Sequence, residues 1–129
     1  MSEYTVVYDP EGRLGVLPLD REPHMSLVKA VLAWPDTAEL PPSDCEQIAL
    51  QLTGHARAVA SDVRRLCGEL STDSDMRILA KVVLGEADRR LSSPCRGTVR
   101  CVKQRARMVR ALYERLDRLE SDRPAASST

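Results

Sequence analysis

The chain contains no phenylalanine, and its other aromatic residues are few. They are Tyr4, Tyr8, Trp34 and Tyr113. The core must therefore be aliphatic, built mainly from Leu, Val and Ala, and such a core suits the packing of helix on helix. A length of 129 residues is enough for one domain with a single core but not for two.

Two kinds of targeting segment are also missing. No stretch approaches the roughly 18 apolar residues that a membrane-spanning helix needs. The first four residues lack the basic lead and the apolar run of a secretory signal, which predicts a cytoplasmic protein.

The four cysteines form no C-x-x-C pair. Without a secretory signal, their thiols are expected to be reduced. Cys45, Cys95 and Cys101 are predicted to gather at one end of the fold, but they lack the paired spacing of a zinc site. We therefore predict no metal and no other cofactor.

The predicted fold class is all-α. Residues 1–42 are expected to hold a short β-hairpin with strands at 4–8 and 14–17, because a turn with Pro and Gly separates two segments of high strand propensity. An accessory helix at 20–34 and a Pro-rich connector should follow. The residue before a proline is pushed out of the helical region, so the helix should end at Trp34.

Residues 43–120 are predicted to form an antiparallel three-helix bundle. Ser43 and Glu46 form the pattern of a capping box at the start of its first helix. Apolar residues then recur in an unbroken seven-residue repeat, which is typical of a bundle seam. The repeat consists of Cys45, Ala49, Leu52, Ala56, Val59, Val63, Leu66 and Leu70.

The other two bundle helices are predicted at 76–91 and 98–119, and a disordered tail at 121–129. Thr72 or Asp73 should cap the helix at 76–91. Apolar residues cover more than half of that helix, which predicts a central position with cover on two sides.

A net charge of zero conceals an asymmetry. Residues 1–46 carry a net charge of −6 and residues 47–129 a net charge of +6. Within the basic part, five residues recur at spacings of 4, 3, 4 and 3, which places them on one face of a helix over about 21 Å. We call this set the basic face: Arg96, Arg100, Lys103, Arg107 and Arg110.

The basic face is the candidate binding site, and three interpretations stay open. It can be a solvated surface that the acidic N-terminal segment neutralises, a site for an acidic protein partner, or a site for nucleic acid. Nucleic acid is the weaker candidate, because no aromatic residues are interleaved and no helix-turn-helix spacing is evident.

A polar cluster of His55, Glu86 and Arg90 is the second candidate site. Counting from a turn near residue 72 brings His55 level with about residue 89. The three side chains are then expected to fix the register of two helices, as a structural cluster. No catalytic residue is predicted, because no nucleophile stands at a fixed spacing beside them.

Three segments resemble a known family: Leu52-Thr-Gly-His-Ala-Arg57, Val83-Leu-Gly-Glu-Ala-Asp-Arg-Arg-Leu91, and Val102 through Tyr113-Glu-Arg-Leu116. They are similar to short actinobacterial helical proteins described as natural-product-biosynthesis proteins of unknown function. The resemblance covers residues 43–120. It implies a helical fold and a cytoplasmic setting, and it carries over no reaction, cofactor or catalytic residue.

These observations predict a non-catalytic accessory or adaptor protein that acts through protein–protein contacts, in association with natural product biosynthesis. The alternative is a small regulatory protein that binds nucleic acid through the basic face. The sequence identifies neither the partner nor the oligomeric state.

Overall fold

A computed structural model describes residues 21–121. They form four helices, α1 (Arg21–Ala33), α2 (Pro42–Cys67), α3 (Asp75–Ser92) and α4 (Val99–Ser121). The all-α class is confirmed, since no strand occurs within 21–121. The hairpin predicted at 4–17 and the tail beyond Ser121 lie outside the described residues.

The core is centred on the contact between α2 and α4. The seven-residue repeat of α2 is confirmed: every member from Cys45 to Leu66 is buried, and Leu70 is half-buried after the helix ends. The facing line of α4 is buried as well. Its members are Val102, Ala106, Val109, Leu112, Tyr113, Leu116 and Leu119.

The first helix is part of this core rather than an accessory to it. Val28 and Val31 are completely buried, and α1 packs mainly on α4 with a smaller contact to α2. The described chain is therefore a four-helix arrangement, in which α1 covers the side of α4 that the three-helix prediction left open.

The prediction that α3 lies centrally is wrong. Its buried residues, such as Ala80 and Leu84, face α2 and α4, whereas Ile78, Leu79 and Val82 are 51%, 49% and 64% exposed. The reason is that α1 packs against α4 and α2 and makes no contact with α3. Within the described chain, α3 is thus covered on one side only.

Both predicted helix caps are also wrong. α2 begins one residue early, at Pro42, with Pro41 as its cap residue and no side-chain cap from Ser43. A proline in the first turn already has the right φ and lacks the N–H that a cap would satisfy. Ser74 caps α3 in place of Thr72 or Asp73, and its hydroxyl accepts a hydrogen bond from the Arg77 N–H at 3.4 Å.

The loop between α3 and α4 is closed by a disulfide between Cys95 and Cys101. The prediction of reduced thiols is wrong for this pair, because the loop brings their Cα atoms to 5.7 Å, within the range that a disulfide spans. Cys45 and Cys67 are free and buried. Gly97 packs this loop against Pro42, so Cys45 and the disulfide lie at the same end of the fold, as predicted.

The described residues contain neither a membrane-spanning helix nor a group of metal-ligand side chains. None of the described helices is long and apolar enough to cross a membrane. Between residues 21 and 121, no group of three or more His, Cys, Asp or Glu side chains could hold a metal ion.

Candidate functional site: the basic face of α4

Four of the five residues of the basic face are exposed. Arg96 lies in the loop before α4, and Arg100, Arg107 and Arg110 follow on the helix, with about two turns from Arg100 to Arg107 and one from Arg107 to Arg110. None of these four guanidinium groups forms an ion pair with a carboxylate of the described chain. They are therefore available to an anionic ligand.

Lys103, the middle residue of the face, is buried instead. Its Nζ donates a hydrogen bond to the Trp34 carbonyl oxygen and lies 3.3 Å from the Asp36 carboxylate. A solvated surface, one of the three interpretations of the face, does not hold for Lys103, because α1 packs on α4 and the residues just after α1 cover the centre of the face. Of the acidic N-terminal part, the described segment thus contacts the basic face at Lys103 through Trp34 and Asp36.

A groove of about 290 Å³ follows from this arrangement. Arg100, Lys103, Gln104 and Arg107 line it from α4, with Asp36 on the other side. The Asp36 carboxylate offsets the positive charge of Lys103, whereas the positive charges of Arg100 and Arg107 have no carboxylate partner in the described chain. Guanidinium groups of this kind bind carboxylate or phosphate through paired N–H donors.

The chemistry available at the groove is binding rather than catalysis. It holds cations, an amide and one exposed carboxylate, and no nucleophile paired with a base lines it. Tyr113 is the aromatic residue of α4, and it is buried. The helix therefore presents no exposed ring on which a nucleic acid base could stack.

The predicted cluster of His55, Glu86 and Arg90 does not form. Glu86 accepts hydrogen bonds from Arg89 and Arg90 on its own helix, and the bond from Arg90 is the main cause that lowers the pKa of Glu86. The Arg57 guanidinium donates to the Leu91 carbonyl at 3.0 Å, which sets the register of α2 against α3. His55 is then level with the loop after α3, about two turns beyond Glu86.

His55 instead belongs to a cluster that the sequence did not predict. Its ring stacks on His24 at 3.7 Å, and its Nε2 shares a hydrogen bond of 2.6 Å with the Tyr113 hydroxyl. The Arg21 guanidinium lies 4.0 Å from the centre of the Tyr113 ring and forms an ion pair of 2.8 Å with Asp117. Burial is the main cause that raises the pKa of Tyr113.

This second cluster holds α1 against α2 and α4. A signal for it does exist in the sequence, because His24 is one turn before Val28 and therefore on the buried face of α1. The chain has only two histidines, and the fold stacks them on each other.

Residues 25–121 match the sequence model of a family of unknown function, DUF6415. Since the match spans most of the chain, the protein belongs to this family. No curated protein and no solved structure matches the chain.

Proposed function

We propose that the protein is a non-catalytic accessory or adaptor protein of the cytoplasm that binds an acidic segment of a partner protein through the basic face. One observation carries this proposal. Arg100, Arg107 and Arg110 are exposed, share one side of α4 and have no carboxylate partner in the described chain. The association with natural product biosynthesis rests on the resemblance of residues 43–120 alone.

The fixed geometry of the face supports a binding role. α4 is held along its length by α2, so its arginines project from a rigid helix. Lys103 anchors the centre of the face to the end of α1, and Asp36 limits how far a ligand can extend on that side. An acidic peptide that lies along α4 would meet Arg100, then Arg107 about 10 Å further along the helix, and then Arg110 about 5 Å beyond it.

The test replaces Arg100, Arg107 and Arg110 with Gln in one variant. Partners are captured from the native host with wild-type protein and with the variant, after nuclease treatment, and identified by mass spectrometry. We expect an acidic protein that the variant holds at least about tenfold less well, because charged contacts at an interface lose both attraction and hydrogen bonds. Binding should also weaken as salt rises.

A matched variant controls for net charge. Arg64→Gln, Lys81→Gln and Arg89→Gln remove the same three charges from exposed positions of α2 and α3. The control should bind like the wild type. Equal losses in both variants, or capture of the same partners by all three proteins, would refute the proposal.

Nucleic acid is the second candidate, and the spacing of the arginines favours it. A stripe of about 21 Å could reach several successive phosphates of a duplex. A gel shift with a 20-base-pair duplex at about 50 and 200 mM salt decides between the two, because phosphate contacts make affinity fall steeply with salt. A strong, salt-sensitive shift that the triple Gln variant abolishes would favour nucleic acid over the acidic protein.

A further inference from the structure

A second cavity lies where the C-terminal end of α3 meets α2 and α4. Its volume is about 400 Å³, and it shares no lining residue with the groove on the basic face. Its walls are mainly apolar, from Ala49 and Leu50 of α2, Leu91 of α3 and Pro94 of the loop. Leu50 is 67% exposed at this cavity, an unusual position for a large apolar side chain of a buried helix. This volume falls within the range of about 300–1,000 Å³ that small-molecule sites occupy.

A buried guanidinium forms part of the cavity wall. Arg105 of α4 is only 6% exposed, and its two terminal nitrogens donate to the carbonyl oxygens of Arg90 and Ser93. Its Nε has no hydrogen-bond partner within the described residues. No carboxylate of that part of the chain pairs with it either, although a buried arginine normally has such a partner.

No carboxylate of the described chain is paired with this charge: Glu46 lines the same cavity, but it forms no ion pair with Arg105 and lies towards the α3–α4 loop. Arg57 donates to the Leu91 carbonyl at 3.0 Å and adds a second positive charge at the same end of α3. The dipole of α3 places about half a negative charge there, which offsets only a part of two guanidinium groups. Burial, and then repulsion by Arg57, lower the pKa of Arg105, in agreement with a desolvated cation that lacks a counter-charge.

We propose that this cavity binds a small amphipathic monocarboxylate. Its apolar body would lie against Ala49, Leu50 and Leu91, and its carboxylate would lie beside Arg105 and supply the missing negative charge. The Thr53 hydroxyl lines the same cavity and can donate a hydrogen bond to the carboxylate. This inference is independent of the function proposed for the basic face.

Glu46 restricts the ligand to a molecule with only one carboxylate group. It also lines the cavity, and its Oε2 lies only 3.3 Å from the position that a Cβ would occupy on Gly97, which places it towards the α3–α4 loop. A second carboxylate on the ligand would be repelled by it. An apolar amino acid has one carboxylate for Arg105 and an ammonium group that Glu46 would not repel. The test therefore includes one as a probe.

The test is a titration of the ¹⁵N-labelled full chain, followed by amide chemical shifts. The probes are octanoate, leucine and octan-1-ol, of which the alcohol has the apolar body of octanoate without its charge. We expect saturable shifts with a carboxylate, confined to the amides of residues 49–53, 91–93, 95 and 105. Octanoate or leucine should bind at least about tenfold more tightly than octan-1-ol. Tighter binding of octanoate would indicate a fatty acid as the ligand, and tighter binding of leucine would indicate a zwitterion such as an apolar amino acid.

Two variants connect binding to this cavity. Thr53→Phe fills the space from a half-buried position of α2, and Ala58→Phe makes the same addition at a half-buried position of α2 outside the cavity. Thr53→Phe should abolish the shifts and Ala58→Phe should keep them. Arg105→Lys, which keeps the charge, should retain more affinity than Arg105→Gln, provided that circular dichroism shows both variants folded.

Three results would overturn the proposal. They are equal affinity for octan-1-ol and both carboxylates, shifts that centre on the exposed apolar residues of α3, and unchanged binding by Thr53→Phe. None of them bears on the basic face, because its arginines do not line this cavity.

Discussion

At the scale of single residues, the backbone requires a glycine at one position and only tolerates it at two others. Gly97 has a φ of +71°, and a Cβ built on it would lie 3.1 Å from both the Cβ and the carbonyl oxygen of Pro42. Gly54 and Gly85 lie inside helices, and a Cβ at either would meet no atom within 4 Å. The predicted helix bounds already place Gly54 and Gly85 inside helices and Gly97 between two of them, but they do not show the contact of Gly97 with Pro42.

Alanine at these positions should therefore have opposite effects. Gly97→Ala forces an L-residue into the left-handed region and against Pro42, and we expect it to lower the free energy of unfolding by about 1–3 kcal/mol. Gly54→Ala and Gly85→Ala should each raise it by about 0.5–1 kcal/mol, because alanine favours a helix over glycine. Urea unfolding of the three variants measures both signs in one experiment. A Gly97→Ala protein as stable as the wild type would contradict the loop geometry.

At the scale of the elements, some helices were easier to predict than others. The seven-residue repeat of α2 was predicted correctly, because this helix has one apolar stripe and one polar side. α3 was placed wrongly because its wide apolar arc indicates burial on two sides, whereas the described fold covers only one. An apolar residue such as Val82 does not reveal from the sequence alone whether a neighbour covers it.

The site predictions failed for a related reason. Arg100, Arg107 and Arg110 lie on one exposed side of α4, but Arg96 lies in the loop before the helix, and helical spacing could not show that the chain at the end of α1 covers Lys103. The cluster at His55 depended on a register counted from an assumed turn, and an error of about one turn separated His55 from Glu86. Contacts between helices distant in sequence, such as that of His24 with His55, depend on how α1 docks. The spacing of His24 and Val28 places His24 on the buried face of α1, but it does not show which residue His24 meets.

The disulfide gives an element-scale prediction. Closing the short loop between Cys95 and Cys101 removes conformational entropy from the unfolded chain and should stabilise the fold by about 2 kcal/mol. Cys95→Ser with Cys101→Ser should lower the free energy of unfolding by that amount, and a reducing agent should destabilise the wild type but not this variant.

A thiol count provides the control. Denatured without a reductant, the oxidised protein should show two reactive thiols, from Cys45 and Cys67, and four after reduction. Four thiols before reduction would mean that the pair is not joined.

At the scale of the whole molecule, the fold has a closed side and an open one. On the closed side α2 packs on α4, and Val59 of α2 is completely buried, whereas Val82 of α3 is 64% exposed. The same substitution at these two valines therefore tests the complete arrangement. If α3 lay at the centre of the fold, a charge at either valine would lower the free energy of unfolding strongly. In the four-helix arrangement described above, only a charge at Val59 does so.

Val59→Asp places an unpaired carboxylate among aliphatic side chains, and we expect it to lower the free energy of unfolding by about 3–5 kcal/mol. That is a large share of the roughly 5–15 kcal/mol that stabilises a typical domain, so the thermal transition should be lost or strongly lowered. Val82→Asp adds the same charge to an exposed surface and should change the free energy of unfolding by about 0.5 kcal/mol or less. Thermal melting by circular dichroism compares the two variants with the wild type. If Val82→Asp melted as early as Val59→Asp, α3 would be covered on its second side, and the central position predicted from its apolar arc would be restored.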